Sequence, residues 1–303
     1  MKQKTWHRCA VIVLSALMFL LMGCTGEKTP EVKRETRTTV LVPQCSQETV
    51  YGWSGVSLDA SHTSDGYIMV QYAGKAEKVK VQITIPDGTV YTYNLFTTEY
   101  ETLPLTGGSG KYKVDVLENA YDDFYAMVFS YQLQVEIGDE FSPFLYPNQY
   151  VWYTPESKIL ELGVSLSDKS SGDLNYVQRV YQYVIGHIRY DQELAETVKS
   201  GYLPDVDRTL ETKKGICFDY ASFMAALLRS QGIPTKLVIG YSGQQYHAWI
   251  DVYLQESGWV SKVIYFDGNS WSLMDPTLGA NNIGEDVKKY VGDGTNYVAK
   301  YQY

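Results

Sequence analysis

The sequence predicts an α+β protein. Three observations carry this: a first half of short alternating strands, a single long helix near residue 180, and a second helix followed by four consecutive strand-like runs. The chain has 303 residues, 45% hydrophobic and 20% charged, which is globular composition and enough for two modest domains. Tyrosine is over-used, with 27 copies against 9 phenylalanines. Its apolar ring and polar tip suit half-wet strands and grooves.

The N-terminus speaks for export. Lys2, Lys4 and Arg8 form a basic stretch without acids, and Cys9 to Met22 is an apolar run of signal-peptide length, short for a membrane span. The run ends in Leu21-Met22-Gly23-Cys24, which resembles a bacterial lipobox. Residues 1–23 are therefore expected to be a lipoprotein signal peptide, with Cys24 lipidated. An ordinary secretory signal or an uncleaved anchor would export the chain equally. Removing Lys2, Lys4 and Arg8 from the 26 basic residues leaves 23 against 35 acidic ones, a net charge of −12. That balance disfavours nucleic acid and anionic headgroups, so the lipid is expected to hold the protein at the extracytoplasmic face of a bacterial cell membrane.

Residues 24–44 read as a flexible tether. Thr25 to Thr39 is rich in Thr, Lys, Arg and Glu and has no apolar periodicity. Fully extended, these fifteen residues reach roughly 50 Å.

Residues 45–142 read as all-β. Tyr67–Tyr72, Lys78–Ile85, Thr89–Phe96, Lys111–Leu117 and Phe124–Ile137 are strand-like. Val79, Val81, Ile83 and Ile85 alternate with polar residues, the mark of a half-buried strand. Pro86-Asp87-Gly88 and Gly107-Gly108-Ser109-Gly110 supply turns. Short strands at this spacing suggest an immunoglobulin-like β-sandwich, most simply a spacer, with carbohydrate or protein binding as an alternative.

Pro143, Pro147 and Pro155 punctuate a connector, and a second domain is expected over 158–303. Asp173 is placed to cap a helix from about Leu174 to Arg189, with Leu174, Val177, Tyr181, Val184 and Ile188 on one face. A second helix should run from Cys217 to about Gln231, stopped by Gly232 and Pro234, with Phe218, Ala221, Ala225 and Leu228 as its buried stripe. Strands follow at Thr235–Tyr241, Gln245–Leu254, Trp259–Phe266 and Trp271–Met274, with an Asp267-Gly268 hairpin between the last two.

Of the four cysteines, Cys9 lies in the signal and Cys24 at the lipidation site, leaving Cys45 and Cys217, which could pair. No CxxC, HExxH or dense Cys/His cluster points to a metal. Cys217 falls in the first turn of its helix, where free N–H groups and the helix dipole favour the anionic, reactive thiolate. Its own amide N–H is a natural oxyanion donor, and Gly215 lets the chain turn tightly before it. His247 lies on a strand beside Trp249, Asp251 and Tyr253, opposite an aliphatic face of Ala248, Ile250, Val252 and Leu254. An imidazole there can take a thiol proton and return it to a leaving amine. Asp275 ends the next strand before Pro276 and can fix the imidazole tautomer.

Taken in order, GICFDYA, GIP, HAWIDV and DPT resemble the core of the transglutaminase-like superfamily, over about residues 175–280. The resemblance implies a papain-like/transglutaminase-like α+β domain with Cys217 as nucleophile, His247 as base and Asp275 as orienter. Tyr190-Asp191 matches a pair often found upstream of the cysteine in bacterial members, with a structural role expected first. The implied chemistry is attack on a peptide or side-chain amide through a cysteine thioester, at the cell envelope and without a cofactor or metal. Hydrolysis is favoured. A protein cross-linking transglutaminase and a non-catalytic peptide-binding or scaffold lipoprotein are the alternatives. Animal transglutaminases use a tryptophan upstream of the cysteine as second oxyanion donor. None stands between Tyr153 and Cys217, which leaves that donor unassigned.

Overall fold

The computed structural model describes residues 33–261, 264–266, 271–273 and 297–303. The first part contains two four-stranded antiparallel sheets. One joins β1 (Val50–Trp53), β2 (Val56–Asp59), β3 (Tyr67–Tyr72) and β6 (Glu101–Pro104) in the order β1-β2-β3-β6. The other joins β4 (Val79–Thr84), β5 (Val90–Leu95), β7 (Gly110–Tyr121) and β8 (Phe124–Val135) in the order β5-β4-β7-β8. Alternation fixes which face is buried: along β4, Val79, Val81 and Ile83 are buried while Lys80, Gln82 and Thr84 are only half so. They share a core with Leu58, Ile68 and Val70 of the other sheet. Gly88 closes the β4–β5 turn at φ +90°, where a side chain would be strained.

The second part is built from α1 (Ile159–Ser167), α2 (Asp173–His187), α3 (Gln192–Thr197), α4 (Val206–Thr212) and α5 (Cys217–Ser230). Against them lies a third antiparallel sheet, ordered β13-β12-β11-β16, from β11 (Thr235–Ser242), β12 (Gln245–Leu254), β13 (Gly258–Val260) and β16 (Tyr297–Gln302). β9 (Arg189–Tyr190) pairs in parallel with β10 (Lys214–Gly215), and β14 (Ile264–Phe266) pairs with β15 (Trp271–Leu273). The Asp267-Gly268 turn lies outside the described residues.

Helix α5 is the centre of this part. The predicted stripe understates it: every residue from Asp219 to Ser230 is buried, because helices pack on one side and the β11–β12 sheet on the other. Gly232 stops it as expected, at φ +77°, and its N–H reaches the Arg229 carbonyl at 2.9 Å. Asp173 departs from expectation. Gly172 is the cap residue, and the Asp173 carboxylate instead accepts from Arg34 Nε at 2.7 Å.

That contact belongs to an arm. Residues 33–37, expected within the tether, lie against α1, α2 and the end of α5. Arg34 also donates to Ser167 Oγ at 2.8 Å and to the Gln231 carbonyl at 2.5 Å, and stacks over Tyr176. Composition alone reads such a segment as tether, because Arg34, Thr36 and Arg37 dock through polar contacts that leave no apolar period. Further along, the Gln47 N–H donates to Asp59 Oδ2 at 2.9 Å. Ser46 Oγ meets His62 Nε2, whose Nδ1 faces Asp65 at 2.9 Å.

One buried apolar cluster runs from Val56 through Ala226 to Tyr303. Tyr303 carries it between the parts, with its ring 5.4 Å from Tyr91 and 5.9 Å from Tyr93.

Candidate active site

Three elements build the site. The first is the start of α5. Ile216 is the residue before the helix, in extended conformation, and Cys217 opens the first turn. Asp219, three residues after Ile216, turns back and accepts the Ile216 N–H at 2.9 Å. This satisfies one of the orphan donors at the helix start and fixes the backbone next to the thiol. Asp219 is 1% exposed. Its second oxygen accepts from the Tyr202 hydroxyl at 2.6 Å and faces Arg208 at 3.5 Å. Burial pushes its carboxyl up, and the bonds from Tyr202 and Ile216 and the Arg208 charge pull the other way. Gly215 also has a reason beyond the turn: a Cβ there would stand 2.5 Å from that of Asp219.

The second element is β12. His247 is half-buried and paired in register with Gly240 of β11. Its ring lies 6.3 Å from that of Tyr297, which also packs edge-on against Trp249 at 5.2 Å. Val238, Trp249 and Tyr297 form a separate small cluster. The expected division holds: an aromatic layer on one face of the strand, and Ala248, Ile250, Val252 and Leu254 in the main core on the other.

The third element is the connector. Residues 148–153 are threaded between the two parts. Ser222 of α5 donates to the Tyr150 carbonyl at 2.7 Å, and Gln149 donates to the Asn94 carbonyl of β5 at 2.7 Å. Tyr150, Tyr246 and Tyr303 all line the cleft. Burial raises all three hydroxyls, Tyr150 to about 12, so the wall beside the thiol is neutral and protonated at pH 7.

These elements enclose a cleft of about 620 Å³, lined by both Cys217 and His247. Lys80, Asn94 and Phe96 of the first part contribute to the same walls. Cys217 and Cys45 are both free thiols, so they do not pair. Cys45 is distinct in character: burial, then its contact with Asp59, raises its thiol. Asp275 and Cys24 lie outside the described residues. Among the described residues, no group of three His, Cys, Asp or Glu side chains is placed to hold a metal ion.

Three contributors are not legible in the sequence. Asp219 follows the cysteine by two residues, where helix periodicity alone gives it no role. Its signal was a carboxylate at the third helical position, half of a capping box. Gln149 and Tyr150 carried no signal, since their place depends on the connector's path between two sheets.

The arrangement is a mixed strand-and-helix fold with a thiol at a helix start and an imidazole in the same cleft. Residues 161–276 match the family model of the transglutaminase-like superfamily, so the chain carries a transglutaminase-like core. It is similar to the kyphoscoliosis peptidase of Mus musculus, at 28% identity over 45% of this chain and 20% of that protein. It is also similar to the protein-glutamine gamma-glutamyltransferase of Pseudomonas aeruginosa, at 35% identity over 31% of this chain and 14% of that protein. The chain thus spans a fifth or less of these curated relatives. Among solved structures, it aligns with the periplasmic domain of TgpA from Pseudomonas aeruginosa, bound to ethylmercury. That alignment has 16% identity and a TM-score of 0.37, and covers 80% of this chain and 100% of that one.

Proposed function

We propose that the protein is an extracytoplasmic thiol acyl-transfer enzyme acting on peptide or side-chain amides. The observation that carries this reading is the shared cleft of Cys217 and His247, with Cys217 in the first turn of α5. His247 takes the thiol proton, and the sulfur attacks the amide carbonyl carbon. The Cys217 N–H, unspent at the helix start, steadies the developing oxyanion. Collapse breaks the C–N bond, His247 returns the proton to the leaving amine, and a thioester remains. Asp275, two residues beyond the end of β15 in sequence, is assigned to hold the imidazole in the required tautomer. Water then resolves the thioester, which makes the protein a peptidase or amidase. The peptidase among its relatives supports that outcome, and the glutamyltransferase supports an amine as competing acceptor.

Around this centre, the first eight strands form an immunoglobulin-like spacer, and Cys24 carries the lipid that fixes the protein to the membrane. Cys24→Ala should move the protein out of the membrane fraction; unchanged extraction and unchanged mature mass would overturn the anchor.

The central test uses the p-nitrophenyl ester of a blocked glutamine, with the acyl-enzyme followed by intact mass. Cys217→Ala should abolish the adduct, and His247→Ala should slow it by about 100-fold or more at an unchanged melting temperature. Normal acylation in His247→Ala would sink the triad. Adding monodansylcadaverine separates the acceptors, since a cross-linking enzyme would transfer the acyl group to the amine rather than release the free acid.

A further inference from the structure

The cleft does not end at the thiol. At Phe96, Gln149 and Leu203, which line both spaces, it adjoins a second basin of about 810 Å³. Two residues that line this basin each keep a buried polar atom without a partner. Gln149 is 7% exposed. Its Nε2 donates to the Asn94 carbonyl at 2.7 Å and to Glu101 Oε2 at 2.6 Å. Both partners are acceptors, so the amide cannot be reversed. Oε1 is therefore left without a donor, and Thr102 Oγ1, 2% exposed, also has no partner. Buried groups of this kind are unfavourable unless something from outside completes them, and what Gln149 lacks is an N–H or O–H donor.

The charge around them is mostly negative. Glu99, Glu101, Asp205 and Asp207 line the basin against a single guanidinium, Arg208. Arg208 is already engaged with Tyr202 and Asp219. Glu101 and Asp207 are spent on backbone N–H groups, while Glu99 stands exposed at the rim. Phe96 and Trp152 flank the basin, 52% and 47% exposed, and offer apolar faces to a flexible stem. A long side chain ending in a cation meets all three requirements: a stem for the aromatics, N–H donors for Gln149 Oε1 and Thr102 Oγ1, and positive charge for the rim.

We propose that this basin is a substrate subsite that receives a lysine or arginine side chain of a polypeptide whose neighbouring amide is presented to Cys217. The proposal rests on the thiol reading of the adjoining cleft. It makes the substrate an extended basic chain and gives the connector residue Gln149 a positioning role in specificity.

The test uses the full chain carrying Cys217→Ala, which binds without reacting. Fluorescein-labelled peptides hold one glutamine, and each position within about four residues of it carries in turn lysine, arginine, norleucine or glutamate. Binding is read by fluorescence anisotropy. At one position, lysine and arginine should both bind about tenfold tighter than norleucine or glutamate, the scale of one charge-assisted contact. Glu99→Lys should erase most of that preference. Thr102→Val should weaken the lysine and arginine peptides several-fold while the melting temperature holds or rises, because the hydroxyl has no partner in the free protein. Equal binding of all four side chains at every position would overturn the subsite, as would a preference untouched by both variants. Failure of the thiol reading is separate: it would show as His247-independent acylation in the wild-type chain, whatever the peptides do.

Discussion

The Asp219 carboxylate accepts the Ile216 N–H at 2.9 Å, one residue before the thiol, and is itself held by the Tyr202 hydroxyl. This bond ties the start of α5 to the loop that walls the cleft. Asp219→Ala removes the acceptor for both donors in a buried place. It should lower stability by ~2–4 kcal/mol and slow Cys217 acylation as the helix start frays. Asp219→Asn keeps an acceptor for Ile216 and should recover much of both losses. Urea midpoints and acylation rates on the two variants check this; equal damage from both would mean that the charge matters more than the cap.

The same residue has a pH signature. Burial raises the Asp219 carboxyl above its unfolded value of 3.8. The fold therefore keeps this proton to higher pH than the unfolded chain does. Its stabilising effect is present below the unfolded pKa and is lost as pH rises through the folded one. The stability of the wild type relative to Asp219→Asn should thus grow as pH falls from 7 towards 4. A difference that stays flat, or shrinks with acid, would mean that the bonds and the Arg208 charge outweigh burial.

Asp59 should show the opposite sign. Burial alone would raise its carboxyl, but hydrogen bonds from Ser61, from the Gln47 N–H and from Cys45 together lower it. Its contribution is present above the unfolded value of 3.8 and lost as pH falls through the lower folded one. Asp59→Asn should cost ~1–2 kcal/mol at pH 7 and less in acid. It should also speed Cys45 alkylation at neutral pH, since Asp59 is the second influence, after burial, holding that thiol up. Thiol mapping by mass spectrometry at a series of pH values would show whether Cys45 ignores the change.

What could be read beforehand was what the chain encodes locally. Val79, Val81 and Ile83 announce β4 because period two survives without neighbours, and β12 was read to the residue from Gln245 to Leu254. β1, β2 and β6 are four residues each, and β6 contains Pro104; they become strands only by pairing with β3 or through it. β16 was missed for a like reason, since its place beside β11 is settled by the packing of Tyr301 and Tyr303 on the main core and of Tyr297 against Trp249. The helix start at Cys217 and the strand position of His247 were legible because both are set by local sequence, and the two residues line one cleft. The far wall of their cleft was not, because Asn94, Gln149 and Tyr202 come together only through tertiary contacts. Asp275 was assigned by the same local logic as His247, and it lies outside the described residues.

Arg229 lies on α5, twelve residues after the cysteine. Its guanidinium is 3% exposed and donates to three main-chain oxygens: Thr235 and Tyr146, each at 2.9 Å, and Tyr303 at 2.6 Å. Burial pulls it down to about 10 from the usual 12.5, so it stays charged at pH 7, solvated by carbonyl dipoles. Those three carbonyls belong to the connector, β11 and the segment after β16, which border the cleft. Arg229→Met keeps the stem but strands three acceptors, and should cost ~3–5 kcal/mol. Arg229→Lys keeps the charge but cannot span three directions with a compact ammonium, and should recover only part. Because the cleft walls loosen with the fold, acylation of Cys217 should fall together with the melting temperature in Arg229→Met. That is the reverse of His247→Ala, where acylation falls and melting holds. A fully stable Arg229→Met would mean that the three carbonyls find water instead.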